Sequence, residues 1–148
     1  MRLEMSKLEN INKRLGIVFA VIGVFALLFS FKKNPTDTGK QLQFMGHDME
    51  IVLKNGGRIV DRDQNSKYGS AFIFVTIDAK SWSPSLADSY TITLRSLGWK
   101  EKRYENQDLI CKDGVVAKID RNMGFNEGKG AYGVSMSYNA LTIQQCKN

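Results

Sequence analysis

The stretch Ser70–Ala79, SAFIFVTIDA, decides how the C-terminal part of this chain folds. Its apolar side chains fall on both sides of an extended backbone, and aromatic and β-branched residues dominate it. Such a composition is typical of a strand that is covered on both faces. We therefore expect a central strand of a sheet here.

Two helices flank this strand in the sequence. The first ends at Asn55-Gly56-Gly57 through a left-handed cap, although a hairpin at the same Asn-Gly is an alternative. The second begins at Ser83-Pro84-Ser85 and ends at Gly98. Apolar residues recur at helical spacing in both, at Leu42, Met45, Met49, Val52 and Leu53, and at Leu86, Tyr90, Leu94 and Leu97.

Short strands account for most of the remaining C-terminal region. Asp113-Gly114 is a strong turn signal between two of them. Tyr132–Tyr138 alternates large side chains with Gly and Ser, so one of its faces is covered and the other is wet. Strands are expected over 58–61, 70–79, 99–104, 109–112, 115–120 and 132–138. This pattern predicts an α+β fold, a small two-layer domain of mostly antiparallel sheet with about two helices on one face.

The N-terminal region contains an uncharged stretch, Leu15–Phe31, LGIVFAVIGVFALLFSF. A helix of this length is about 26 Å long, close to the ~30 Å hydrocarbon core, and flanking basic residues can reach the headgroups. Bulky residues occupy the position where signal peptidase requires small ones, so we expect an uncleaved transmembrane helix. The predicted segments are a short cytoplasmic N-terminus, this helix, a tether and an extracytoplasmic domain, over 1–14, 15–31, 32–40 and 41–148.

Orientation and compartment depend on charge and cysteine content. A slight excess of cations on the N-terminal side of the stretch favours a cytoplasmic N-terminus. Cys111 and Cys146 lack metal-ligand spacing, and two cysteines in an exported domain most often form a disulfide. We expect that disulfide and a periplasmic domain anchored in a bacterial inner membrane. Buried free thiols in a cytosolic domain are the alternative.

Small residues follow one side of the predicted span, at Gly16, Ala20, Gly23 and Ser30. Such a stripe lets two helices approach closely, which suggests a homo-oligomer formed through the membrane. The alternative is the ordinary composition of a membrane helix.

Few residues are arranged for catalysis or for metal binding. The single histidine, His47, has adjacent carboxylates but no nucleophile nearby in the sequence, which favours a solvated helix residue. Asp61, Asp63 and Asn65 begin like a calcium loop, but later positions lack the required Gly and Glu, which favours a polar turn. Residues 124–130 imitate a phosphate loop without its spacing or its following helix, which favours a mobile hairpin connection. We expect no cofactor, no metal and no catalytic residue.

These features favour a binding function. A formal net charge of +6 without a one-sided basic cluster argues against nucleic acid. We expect a non-catalytic binding domain with a protein partner, one version being an inhibitor or immunity-type protein. Alternatives are an accessory structural subunit assembled through its transmembrane helix, and an envelope hydrolase, which requires His47, Asp61 and Asp63 to meet in one pocket. The candidate partner-binding residues lie in or beside a flexible loop over 122–130, at Asn122, Phe125, Asn126, Lys129 and Tyr132.

Overall fold

The computed structural model describes residues 18–25, 37–104 and 107–147. The chain divides into two units, residues 1–34 and residues 35–148, and each is described by itself.

The first unit contains one described stretch, residues 18–25, which is helical and has exposed apolar side chains. The transmembrane helix predicted over 15–31 lies partly outside the described residues, as do Gly16 and Ser30 of its small-residue stripe. Among the described helices, none is both long and apolar enough to cross a bilayer. Ala20 and Gly23 do lie in the helical stretch, and a side chain at Gly23 would meet no atom within 4 Å.

The second unit combines helices with one antiparallel sheet, which confirms the predicted α+β class. In its described residues the helices are α1 (Thr38–Leu53), α2 (Pro84–Ser96) and α3 (Ala140–Lys147). The strands are β1 (Ile59–Lys67), β2 (Ser70–Asp78), β3 (Lys100–Tyr104), β4 (Gln107–Lys112), β5 (Val115–Ile119), β6 (Gly124–Asn126) and β7 (Lys129–Tyr138). The sheet has the order β1-β2-β7-β5-β4-β3, and β6 pairs with the start of β7.

Helices α1 and α2 cover one face of the sheet, which we call the helix face. Directly paired residues of neighbouring strands share a face of the sheet. The pairs between β2 and β7 therefore show which residues of these two strands lie on the helix face. The buried core on this side joins α1, α2 and three strands: Met45, Met49, Val52, Ile73, Val75, Ile77, Tyr90, Leu94, Ala117, Val134 and Met136.

The ends of both helices follow the sequence signals. Helix α1 ends at Leu53, and Gly56 and Gly57 then have positive φ, so the hairpin alternative is wrong. At Gly57 a Cβ would lie 2.8 Å from the Tyr90 hydroxyl, which leaves no room for a side chain. The Ser83 hydroxyl caps α2 by accepting from the Leu86 N–H at 3.1 Å. Because α1 begins at Thr38, the last three residues of the predicted tether, 38–40, are helical.

Two segments predicted as irregular are strands. Residues 62–67 extend β1 to Lys67, because pairing with β2 supplies backbone hydrogen bonds that override the turn preference of polar residues. Residues 124–126 and 129–131 pair as a hairpin, which confirms the predicted hairpin connection, but most of the segment expected as a loop over 122–130 is strand. Glu127 and Gly128 have positive φ in its turn, the geometry that suits tight hairpins.

The other face of the sheet, here called the open face, is only partly uncovered. Cys111 pairs with Val116 on this face and lies at disulfide distance from Cys146 of α3, with 5.6 Å between their Cα atoms. The bond therefore holds α3 against the open face, while Ile143 of α3 contacts the turn at Gly114. The short third helix makes the predicted arrangement incomplete, because a helix packs on each side of the sheet.

Candidate functional site

A cavity of about 270 Å³ lies where the β6–β7 hairpin meets the open face, and we call it the hairpin cavity. Four of the five predicted binding residues line it, and Lys129 does not. The lining also includes two carboxylates, those of Asp61 and Asp120. The four predicted residues in the lining are Asn122, Phe125, Asn126 and Tyr132.

The register of the sheet brings the carboxylates to this cavity. Asp61 pairs with Thr76, and Thr76 pairs with Gly133, which places all three in one row on the open face. Asp120 follows β5, and its backbone N–H donates to the Gly133 carbonyl oxygen at 2.9 Å. Asp120 therefore continues the row beyond Gly133, and Asp61 and Asp120 lie at its two ends, three strand spacings or about 14 Å apart.

Gly133 lines the cavity at the point where Asp120 and Phe74 approach the backbone. A Cβ at this position would overlap the Asp120 carboxylate and would lie 3.0 Å from the ring of Phe74. Glycine is required here because a carboxylate and an aromatic ring approach the backbone at the same point.

Neither carboxylate of the cavity has a counterion among the residues that the structure describes. Asp61 and Asp120 are exposed, and neither takes part in the ion pairs of the described residues. Within 37–104 and 107–147, no cluster of three or more His, Cys, Asp or Glu side chains is placed to hold a metal ion. The arrangement is suited to a cationic group such as a Lys or Arg side chain of a ligand.

Two apolar residues of the cavity lining are largely exposed to solvent. Phe125 is 75% exposed and Met123 is 53% exposed. Both lie on the side of the hairpin occupied by Gly130, since Phe125 pairs with Gly130 and a Cβ there would lie 2.8 Å from the Met123 sulfur. Large exposed apolar side chains beside a concave polar site are typical of recognition surfaces.

Tyr132 has a different environment from the other predicted residues. Its ring stacks on Trp82 with 4.6 Å between centroids, and Trp82 packs edge-on against Tyr90. Tyr132 thus anchors the hairpin to the helix face. Asn126 and Lys129 pair with each other at the turn, opposite in facing to Phe125.

A second cavity of about 520 Å³ adjoins the first along β4 and β5. Asp120 lines both cavities, and Lys118 and Arg121 lie in the second. The second cavity is also lined by Thr91 of α2 and by Ala117, so it opens toward the helix face, whereas the hairpin cavity lies on the open face.

The other residues singled out in the sequence do not join this site. His47 lies on α1 with its side chain 74% exposed, and α1 packs on the helix face. Asp61 and Asp63 occupy the open face of β1, so the convergence that the hydrolase hypothesis requires is not found. Asp61, Asp63 and Asn65 also alternate along a strand, so the polar turn expected for them is wrong.

The sequence analysis missed a buried polar network around Asp48. Its carboxylate accepts from the Trp99 Nε1–H at 2.8 Å, from the Lys112 Nζ at 2.9 Å and from the His47 Nδ1 at 3.2 Å. The Lys112 ammonium also lies 4.6 Å from the centre of the Phe44 ring. A signal for this network existed, because Asp48 lies on the apolar stripe of α1, one residue before Met49.

The shifted pKa values belong to structural contacts. Burial raises the pKa of Asp48, but hydrogen bonds from Lys112, Trp99 and His47 together bring it below its ordinary value. Burial and a hydrogen bond to Asp37 raise the pKa of Tyr138 to about 12. Both groups lie outside the lining of the hairpin cavity.

No protein-family model matches the chain, and neither a curated protein nor a solved structure matches it. Its function is therefore argued from its own residues.

Proposed function

We propose that this chain is a single-pass protein of a bacterial inner membrane that presents a non-catalytic, protein-binding domain outside the cytoplasm. The uncharged stretch 15–31, with basic residues on both sides, supports the anchor. The unit 35–148 has its own buried core, as expected of a domain that works beyond a membrane segment. The cysteine pair at disulfide distance favours an oxidising compartment.

The hairpin cavity is the recognition site in this proposal. One observation carries it, namely a cavity lined both by Phe125, which is three-quarters exposed, and by two carboxylates that have no ion-pair partner among the described residues. An exposed aromatic side chain next to unpaired charge is the composition of an interface hot spot. The complementary partner has a basic side chain beside an apolar patch. An inhibitor or immunity-type protein, which binds an incoming toxin or hydrolase, is the version that this surface fits.

The first test is capture of a partner by the purified domain, residues 37–148, from envelope proteins of the source organism. We expect the domain alone to retain the partner that the full chain retains. If only the full chain captures partners, the accessory-subunit alternative replaces this proposal, because assembly then requires the N-terminal region.

The second test measures affinity for the captured partner with Phe125→Ala. We expect a loss of tenfold or more, the usual effect of removing a hot-spot aromatic side chain. Ile92→Ala is the matched control, since Ile92 is 62% exposed on α2, away from the cavity. Equal affinities of the two variants would show that the hairpin is not the recognition site.

The third test examines the acidic lining with Asp61→Asn and Asp120→Asn together. We expect weaker binding and a smaller dependence of affinity on salt, because two negative charges facing the partner are removed. Unchanged salt dependence would contradict a cationic ligand group. Thermal unfolding of the variant checks that the fold is intact.

A further inference from the structure

The turn between β1 and β2 holds an aromatic residue in an unfavourable conformation. Tyr68 has φ of 52° and Gly69 has φ of 78°, in a two-residue turn where Asn-Gly is the preferred sequence. A bulky side chain is rarely found with positive φ. The Tyr68 ring is 96% exposed, so no packing within the domain offsets the strain. Backbone strain without internal compensation points to a role outside the domain.

The position of Tyr68 in the fold indicates what it meets. Ala71, at the start of β2, pairs with Tyr138, and the Tyr138 hydroxyl donates to the Asp37 carboxylate at 2.8 Å. The β1–β2 turn and the start of the domain at Asp37 are therefore at the same end of the sheet. The hairpin cavity lies toward the opposite end, where Thr76 of β2 lines it, about 20 Å from Ser70 at strand rise.

Covalent reach fixes which end of the domain is held near the bilayer if residues 15–31 span it. Five residues separate Phe31 from Asp37 in the sequence. Whatever their conformation, they span at most about 21 Å. Asp37, which lies at the same end of the sheet as the β1–β2 turn, is thus held within that reach of the predicted span.

The chemistry of this turn matches a lipid surface. Tyrosine prefers the membrane–water interface, where its ring is in contact with lipid and its hydroxyl stays hydrated. Lys67 directly precedes Tyr68, and Lys40 lies in the first turn of α1; both are exposed. Exposed ammonium groups near a bilayer are attracted to anionic headgroups.

We propose that Tyr68 and Lys67 contact the anionic phospholipid surface of the membrane that anchors the chain, so that the hairpin cavity faces away from it. This inference rests on the proposed anchor. The contact orients the domain and presents Phe125 to partners that approach from the periplasm.

The test uses the full chain in vesicles of phosphatidylethanolamine and phosphatidylglycerol that contain a headgroup spin-labelled lipid. An environment-sensitive fluorophore is attached to Asn65→Cys or to Asn122→Cys, two exposed asparagines at opposite ends of the sheet. We expect quenching at position 65 to be at least twofold greater than at position 122. Equal quenching, or stronger quenching at position 122, would overturn the inference.

Tyr68→Asn separates lipid contact from folding. Asparagine suits a left-handed turn, so the variant keeps or raises the thermal stability of the domain. We expect quenching at position 65 to fall toward that at position 122, and unchanged quenching would refute a role for the ring. Flotation with the vesicles separates the two proposals. A chain that floats without the difference in quenching contradicts only this inference. A chain that fails to float contradicts the proposed anchor as well.

Discussion

The aspartates at the two ends of the sheet differ in whether their carboxylates are paired within the fold. At the end that carries the disulfide, the buried carboxylate of Asp48 accepts hydrogen bonds from Trp99, Lys112 and His47. At the cavity end, Asp61 and Asp120 are exposed and have no ion-pair partner among the described residues. The first arrangement uses its hydrogen-bonding capacity within the fold, and the second leaves it available to a ligand.

This difference predicts that mutations will separate by location. Changes at the disulfide end should lower the free energy of unfolding and leave partner binding unaltered. Changes to the acidic side chains at the cavity end should weaken binding with little effect on stability, since exposed unpaired carboxylates contribute little to folding.

The largest expected effect is removal of the disulfide in Cys111→Ser/Cys146→Ser. The bond joins residues 35 apart, and the chain-entropy relation gives a stabilisation of about 3–4 kcal/mol for a loop of that size. Denaturant unfolding under oxidising conditions measures the loss. Reductant should bring the wild-type domain to the stability of the variant and leave the variant unchanged. A loss below about 1 kcal/mol would contradict a structural role for the bond.

The next largest effect is expected from Asp48→Asn, at about 2–3 kcal/mol. The amide keeps a contact with Trp99 but leaves the half-buried Lys112 ammonium without its counterion. Asp113→Asn is the matched control, because Asp113 is exposed and has φ of 50°, which asparagine tolerates. Equal stabilities of the two variants would refute the importance of the network.

The difference in unfolding free energy between the wild type and Asp48→Asn is expected to depend on pH with a defined sign. The pKa of Asp48 in the folded domain is below its ordinary value of 3.8, so the folded state favours the carboxylate. Its stabilisation is fully present above pH 3.8 and is lost as the pH falls through the lowered folded-state pKa. The difference in unfolding free energy between the wild type and Asp48→Asn should therefore shrink in acid. A difference that grows there would reverse the assignment.

The smallest effect concerns the floor of the hairpin cavity. Gly133→Ala should destabilise by about 1–2 kcal/mol, because the new methyl group overlaps the Asp120 carboxylate and crowds the ring of Phe74. Gly46→Ala in α1 is the control with opposite sign. Its Cβ would have its nearest neighbour at 3.8 Å, and alanine favours a helix by about 0.5–1 kcal/mol. If both variants gain stability, the side chains of Asp120 and Phe74 do not converge on Gly133.

Local patterns in the sequence predicted much of the fold. The apolar spacing of α2, its Ser83 cap and the Asp113-Gly114 turn depend on interactions within a few residues, and they were confirmed. The strand character of 62–67 was missed because polar residues form a strand only when β2 pairs with them. Helix α3 was missed because Cys146 and Ile143 are held by contacts with β4 and the Gly114 turn.

For the candidate site, sequence reasoning predicted the segment and not the partners it meets. Phe125 stood out because it is an aromatic residue in a Gly-rich stretch. Asp61 comes from β1, far from the hairpin in the sequence, whereas Asp120 follows β5 and directly precedes the segment that leads into the hairpin. Their approach depends on the strand order, which places β7 between β2 and β5.

By itself the sequence determined the class of the domain, the C-terminal end of α1, both ends of α2, the tight turn at Asp113-Gly114 and the presence of a long uncharged stretch. Short-range spacing and composition are sufficient for these features. Only the tertiary structure decided that Asp48 is buried with Lys112 while Asp61 and Asp120 face a cavity. An aspartate is the same residue in all three places. Its role depends on whether strands distant in sequence supply it with donors, and that information exists only in the folded arrangement.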